Sequence, residues 1–207
     1  MTEPQEPEGI PFLGVPLAGP VPGALADVWS ILEDLKYVTS ACRRIMALPT
    51  EPPERSGDDL LQRALWESAV IAYGRCFTGG KGYLRPGAPR TKVPEDFLDA
   101  LDEDERRIHT EVLEERNQQV GHRVGLQEQA TVILILNPPP GERAVAGVAV
   151  FGVRLLARTG DDLALLERVT TKLGERLTGE YQALQQALMV EGAQRLDEWY
   201  TKAAPMD

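Results

Sequence analysis

The last quarter of the chain carries one uninterrupted apolar stripe, and this stripe limits the folds that the chain can adopt. Its apolar or small positions are Leu166, Val169, Leu173, Leu177, Tyr181, Leu184, Leu188, Gly192, Leu196 and Trp199. Their mean spacing is about 3.67 residues, the repeat of a nearly straight helix face. An unbroken helix over residues 161–202 would be roughly 60 Å long, and a small bundle cannot cover that length. We therefore expect either a break at Gly174, Gly179 or Gly192, or packing of the stripe against a second subunit.

The composition indicates a globular protein in a reducing compartment. Of the 207 residues, 43% are hydrophobic and 26% are charged, and the net charge of −10 argues against broad attraction to nucleic acid. No apolar run approaches the roughly 20 residues that span a bilayer, so we expect no membrane partner. The acidic, Pro-rich N-terminus does not resemble a secretory signal, which favours a cytoplasmic location. Cys42 and Cys76 lie among apolar neighbours and are expected to be reduced, buried and chemically inert.

A mainly α fold is predicted, with a bundle of about four helices over residues 24–125. Apolar residues recur at spacings of three and four in residues 24–48, and again from near residue 56 through Cys76. The second of these helices is apolar on more than one face, so we expect it to be the most buried. A short helix over residues 95–101 and a longer one over 102–122 complete the predicted bundle.

Three further segments flank this bundle. Residues 1–23 are dense in Pro and Gly, which predicts an extended arm without helix. Residues 126–158 contain two β-branched, aliphatic runs around "PPPGER" and predict a β-hairpin. Because a lone hairpin is barely stable and this one is apolar on both faces, it must be covered by helices or pair with another chain. Residues 159–207 form the C-terminal helix, a predicted oligomerisation element.

A basic segment without acids occupies residues 68–94, where five cations occur: Arg75, Lys81, Arg85, Arg90 and Lys92. Its "GRCFTGGKGY" does not fit a P-loop, because Arg75 stands five residues before Gly80 and Gly82 follows the lysine. The loop after Arg75 is a candidate for RNA or phosphate binding through Lys81, Tyr83, Arg85, Arg90 and Lys92, with Tyr83 as a stacking surface. The alternative is a solvated connecting loop.

The sequence predicts neither a metal site nor a cofactor. It contains no HExxH or CxxC pattern. His109 and Glu105 lie one helical turn apart, but no third ligand is evident beside them.

The stretch "RNQQVGH" combines the groups that metal-independent RNA cleavage needs. The imidazole of His122 can exchange protons with a ribose hydroxyl near neutral pH, and the guanidinium of Arg116 can hold the scissile phosphate. Asn117 can orient either group. Positions six apart on an ideal helix lie about 240° apart, so these side chains meet only if the helix ends or kinks between them. Gly121 allows such an ending.

This arrangement resembles the HEPN superfamily, in which an arginine, a polar residue and then a histidine stand late in a small helical bundle. The resemblance covers about residues 24–125, including "ALWESAVIAYGRCF". It implies a metal-independent endoribonuclease of a toxin–antitoxin or phage-defence system, acting on RNA as a homodimer whose two motifs form one cleft. An antitoxin or defence-system protein is then an expected partner. By the same resemblance, Arg116 would hold phosphate, His122 would be the acid and base, and Asn117 would orient them.

Other interpretations remain open. Some HEPN proteins are noncatalytic binding or assembly modules, and a small-nucleotide binder using the basic loop is a further alternative. Arg116 could also pair with Glu67 or Glu115, while His122 caps the end of its helix.

Overall fold

A computed structural model describes residues 13–48, 57–82, 88–120, 128–136, 145–154, 157–158 and 160–205. The chain is mainly helical, as expected, with a small amount of antiparallel sheet. The helices are α1 (Pro20–Met46), α2 (Gly57–Phe77), α3 (Glu103–Glu115), α4 (Asp161–Gln194) and α5 (Leu196–Lys202), with a 3₁₀ helix at Glu95–Ala100. The strands are β1 (Leu13–Gly14), β2 (Glu128–Leu136), β3 (Val145–Arg154) and β4 (Ala204–Pro205).

Four helices close into a bundle in which α1 packs against α2 and α4, and α3 packs against the same two helices. Helices α1 and α4 run antiparallel, because Arg43 donates to Glu167 at 2.7 Å while the Thr39 and Thr170 hydroxyls lie 2.8 Å apart. The fourth bundle helix is therefore α4, which follows the hairpin. The sequence placed all four helices before residue 125, and the short segment that it counted among them is the 3₁₀ helix.

The core lies between these helices and is built from apolar residues that are almost wholly buried. Its largest fully buried side chains include Ile31 and Leu35 of α1, Tyr73 of α2, Ile108 of α3 and Leu173 of α4. Among the described residues, α1 contributes eight buried apolar side chains and α2 contributes six, whereas the sequence predicted α2 as the most buried helix. Cys42 and Cys76 are both buried, as predicted.

The first helix begins earlier than the prolines suggested. Pro20 and Pro22 lie in the first turn of α1, although the sequence assigned residues up to 23 to the arm. The first turn has no intrahelical acceptors for its N–H groups, so a proline there sacrifices no hydrogen bond. Gly19 precedes the helix at φ 125°, a left-handed conformation that favours glycine.

Helix α4 is continuous over 34 residues and passes through Gly174, Gly179 and Gly192. The first of the two alternatives, a break at one of these glycines, is therefore wrong, and packing of the stripe against a second subunit stays a prediction. Each glycine costs a helix about 1 kcal/mol relative to alanine, but packing against α1 offsets this cost over much of the helix. The break comes at Arg195, where α5 begins. No helix in the described part of the chain is both long and apolar enough to cross a membrane.

The predicted hairpin is confirmed in β2 and β3, which pair antiparallel from Glu128 opposite Arg154 to Leu136 opposite Val145. A second, very short ladder was not predicted. It joins β1 to β4, with Leu13 opposite Pro205 and Gly14 opposite Ala204. This ladder ties the N-terminal arm to the segment that follows α5.

Candidate functional site

The candidate motif lies where α3 ends. The start of α3 is fixed by a capping box, in which Asp102 accepts from the Glu105 backbone at 2.9 Å and Glu105 accepts from the Asp102 backbone at 3.0 Å. After Glu115 the helix widens into a single π-helical turn, Arg116–Val120. Such turns inside or at the end of α-helices occur frequently at functional sites. The backbone thus changes form at Arg116.

The stem of Arg116 lies against α2 at Gly74. A Cβ atom added to Gly74 would stand 2.9 Å from Arg116 Cγ and 3.1 Å from Cδ, closer than side chains normally approach. Glycine is therefore the residue that lets Arg116 take this position. A glycine inside a helical pattern costs stability, so Gly74 carried a signal that our sequence analysis did not use.

The head of Arg116 contacts its neighbour Asn117. Arg116 Nη1 donates to Asn117 Oδ1 at 3.0 Å, and the Asn117 side chain is exposed. Two of the three predicted catalytic residues are therefore in contact at the surface. The third, His122, lies outside the described residues, as does Gly121.

Both acids that could have neutralised Arg116 are bonded to other groups. Glu67 accepts from Arg63 Nε at 2.6 Å. Glu115 is buried, and its two oxygens accept from Trp66 Nε1 at 2.5 Å and from Arg158 Nε at 3.2 Å. These bonds favour a role for Arg116 other than a simple surface ion pair.

Arg158 is the centre of an ion-pair network directly before the motif. It bonds Glu111 and Glu115 of α3 and lies 3.2 Å from Asp162 of α4. Burial opposes ionisation of Glu111, yet hydrogen bonds from Arg158 and Arg107 outweigh it and lower the pKa of that carboxyl. The network holds the last turn of α3 against the start of α4. Glu111 and Glu115 are more than 40 residues from Arg158, so no local sequence pattern could predict their pairing.

His109, the other histidine, is a structural residue. It is buried, and its Nδ1 lies 2.7 Å from the Tyr73 hydroxyl. Its ring also meets Phe77 edge to face, with centroids 4.7 Å apart. Burial first, and then the charge of Arg106, lower the pKa of His109, which favours a neutral ring.

Glu105, which the sequence paired with His109, instead bonds Lys172 Nζ at 2.6 Å. Within the described residues, no group of three His, Cys, Asp or Glu side chains is placed to hold a metal ion.

The basic loop contributes fewer free cations than its sequence suggested. Arg90 is only 13% exposed, donates to the Ser30 hydroxyl at 3.0 Å and lies 3.8 Å from Asp34. Lys92 is half exposed beside Glu95, and Lys81 is exposed where a short antiparallel bridge to Pro89 closes the loop. The remaining two candidates, Tyr83 and Arg85, lie outside the described residues.

Two acids of α1 hold the loop in place. Asp27 accepts from the Thr91 backbone at 2.9 Å, and Asp34 lies 3.8 Å from Arg90 while it also receives two hydrogen bonds from Arg75 of α2. The loop leaves α2 at Thr78, four residues after Gly74, so it starts about 6 Å along the helix axis from the Arg116 stem. The motif and the basic loop therefore lie at the same end of α2.

A cleft of about 340 Å³ lies near the far end of α4, between the arm and α5. Leu17, Pro20, Leu188 and Trp199 are among its largely apolar walls. Its α4 residues, Leu188, Glu191 and Gly192, stand 27 to 31 positions after Asp161 at the start of that helix, which places the cleft far from Arg116. Arg195 lines the cleft, but its guanidinium is paired with Glu191 and Glu198, and no histidine is among the cleft's lining residues.

Comparison of the chain with protein-family models, with curated proteins and with solved structures finds no match.

Proposed function

We propose that the protein is a HEPN-like, metal-independent endoribonuclease that acts as a homodimer in a toxin or phage-defence system. The observation that carries the proposal is the Arg116–Asn117 contact, 3.0 Å long, at a π-helical turn that begins at Arg116 itself. Convergence of Arg116 and His122 requires the helix to change direction between them, and α3 departs from α-helical form in this interval. The motif follows the third helix of the bundle, since α4 is the fourth.

The chemistry needs only side chains of this chain and the RNA itself. The imidazole of His122 takes the proton from a ribose 2′-hydroxyl, whose oxygen attacks the neighbouring phosphorus. The P–O5′ bond breaks, and the leaving 5′-oxygen receives a proton from an imidazolium. The products are a 2′,3′-cyclic phosphate and a 5′-hydroxyl. Arg116 offsets the charge that develops on the phosphate oxygens, and Asn117 holds the guanidinium in position.

The surroundings of Arg116 support this assignment. Gly74 fixes the stem, and Glu67 and Glu115 are bonded to other groups, which leaves the guanidinium suited to binding an anion. Lys81 and Lys92, both solvent-accessible on the loop that leaves the same end of α2, can attract the RNA backbone. Arg90 contributes indirectly, by holding the loop against α1.

The decisive experiment compares four proteins on single-stranded and structured RNA in the presence of EDTA. Wild type should cleave and leave 2′,3′-cyclic ends, while His122→Ala and Arg116→Ala should lose at least about a hundredfold in rate. Gln118→Ala is the matched control, because Gln118 is exposed in the same π-helical turn and has no assigned role. Equal cleavage by all four proteins, or none by wild type over a broad substrate panel, would reject the proposal.

Loop binding has its own measurement. Lys81→Gln and Lys92→Gln together should weaken RNA binding and flatten its dependence on salt concentration, since each lysine that contacts phosphate releases a counterion. Lys36→Gln is the control, because Lys36 is an exposed lysine of α1 whose ammonium bonds Glu33. An unchanged salt slope in the double variant would remove the loop from the RNA-binding surface.

A second function, that of a noncatalytic assembly module, is favoured by one observation. Val132 and Ile133 are neighbours on β2 and so point to opposite faces of the hairpin, yet both are exposed. A protein that forms a stable oligomer but cleaves no RNA would support this function and exclude the first.

A further inference from the structure

The two faces of the β2–β3 hairpin differ in exposure. Residues that lie opposite each other in the register share a face, and successive residues alternate between faces. Leu134 pairs with Val148, so Val132 and Leu136 of β2 share one face with Val148 of β3. A register shift between Ile135 and Leu136 then brings Val145, opposite Leu136, to the same face. We name these four residues the open face. Ile133 and Ile135 lie on the second face.

The open face is more accessible to water than the second face. Its four aliphatic side chains are between 59% and 66% exposed, whereas Ile133 and Ile135 are 39% and 45% exposed. In the described part of the chain, the hairpin strands pack extensively only on each other, and the bundle helices pack on one another. No element of the described chain covers the open face.

The size of the face marks it as an interaction surface. A strand of nine residues is about 30 Å long, and two strands are about 10 Å wide, so one face spans roughly 300 Å². A contiguous apolar patch of this size is as large as the largest that soluble monomers usually expose.

The charge distribution indicates the occupant. Within β2 and β3 the charged residues are Glu128 and Arg154, which lie opposite each other at the base of the hairpin. The rest of the face is uncharged, while the whole chain carries a net charge of −10. Two copies of the chain therefore repel each other over most of their surfaces, but not at the hairpin.

We propose that the open face packs against the open face of a second copy of this chain. The contact buries the open face of each copy. The second face of each hairpin then points away from the contact. The two faces together bury about 600 Å², below the roughly 1,200–2,000 Å² of stable interfaces, so the dimer should be weak and dissociate at about 10–100 µM. This inference deepens the homodimer of the proposed function and rests on that proposal only for its role in catalysis.

Sedimentation of the intact chain tests the proposal with a matched pair of variants. Val148→Lys places a charge on the open face and should raise the dimer dissociation constant at least about tenfold. Ile135→Lys places the same charge on the second face and should leave the constant within about threefold of wild type. A thermal melt of each variant verifies that the bundle is folded.

Three outcomes would overturn the proposal. They are a monomeric wild type at about 100 µM, an unchanged constant in Val148→Lys, and equal losses in both variants. Binding of wild type, but not Val148→Lys, to phosphatidylcholine vesicles without dimerisation would likewise replace the second copy by a lipid surface. None of these measurements uses RNA, so failure of the dimer and failure of cleavage are distinguishable.

Cross-linking supplies an independent second test. Burial is the main cause that raises the pKa of the Cys42 and Cys76 thiols to about 12. Both native cysteines are therefore inert near neutral pH. Val148→Cys should then give a disulfide-linked dimer under a mild thiol oxidant such as diamide. Ala149→Cys, the next residue on the opposite face, is the control and should remain monomeric. A dimer band of equal strength in both variants would contradict the face assignment.

Discussion

The two halves of α4 carry the same apolar stripe, but they occupy different environments. In the proximal half, residues 161–177, every stripe position is buried between α1 and α3. In the distal half, residues 178–194, no residue is buried, and α5 has none either. Exposed apolar side chains there include Met189, Val190 and Leu196.

The two halves of α4 differ in burial because different elements lie beside them, and not because their own sequence pattern differs. The proximal half is the fourth member of the bundle, while the distal half extends past it along the start of α1 and the arm. The period of a stripe therefore tells which face of a helix is apolar, but not how far along the helix that face is covered. Stability should be concentrated in the proximal half.

The largest expected contrast comes from two alanine substitutions in the same helix. Leu173→Ala, in the proximal core, should lower the free energy of unfolding by about 2–5 kcal/mol through lost burial and a cavity. Met189→Ala, in the distal half, should change it by less than about 0.5 kcal/mol. Urea unfolding measures both. Similar losses in the two variants would mean that the distal half is covered as fully as the proximal half.

Two glutamates give the next contrast. Glu105 is buried, caps α3 and bonds Lys172 of the proximal half, so Glu105→Ala should cost about 1–3 kcal/mol. Glu198 of α5 bonds Arg195 and Lys202 in full contact with solvent, so Glu198→Ala should leave stability unchanged. A large loss for Glu198→Ala in urea unfolding would show that the surface network of α5 matters to the fold.

Acid should weaken the bundle through His109. Its folded pKa lies below its ordinary value of 6.5, so the unfolded chain takes up the proton first. The stabilising contribution is complete above pH 6.5 and is lost as the pH falls through the folded pKa. Unfolding measured between about pH 7.5 and 5 should show a smaller acid slope in His109→Phe than in wild type. Identical slopes would assign the acid sensitivity to other groups.

The smallest expected change in stability is also the most specific test of the candidate motif. Gly74→Ala should alter the free energy of unfolding by no more than about 1 kcal/mol, because the gain in helix propensity opposes the displacement of Arg116. RNA cleavage, under the proposed function, should fall as it does in Arg116→Ala. Ala69→Gly in the same helix is the opposite control, since it should destabilise without moving Arg116. Full RNA-cleaving activity in Gly74→Ala would show that the contact of the Arg116 stem with Gly74 is not needed for cleavage.

Most secondary structure could be predicted, because it follows from periodicity within single segments. The helices α2 and α3, the hairpin and the long C-terminal helix all appear where their patterns placed them. The errors arose where a local rule was overridden by position or by neighbours. Prolines begin α1 because its first turn needs no N–H donors, and glycines continue α4 because α1 lies alongside them.

The candidate site could be predicted only in its own short stretch. Arg116 and Asn117 are adjacent in sequence, and their contact needed no knowledge of the fold. The seat on Gly74 and the bonds of Glu115 to Trp66 and Arg158 join residues more than 40 positions apart. Such contacts depend on the bundle's assembly. The roles of Lys81, Lys92 and His122 stay predictions.

The short ladder between β1 and β4 gives the chain an almost circular path. Leu13 and Pro205 lie opposite each other on antiparallel strands, where partner Cα atoms are about 5 Å apart. A linker of a few residues could therefore join these two positions, and new termini could be opened in the connection between β2 and β3. Such a circular permutant would retain all four bundle helices in one continuous chain. In this permutant no short connection would join β2 directly to β3. Each of these strands could therefore pair with the strand of a second copy.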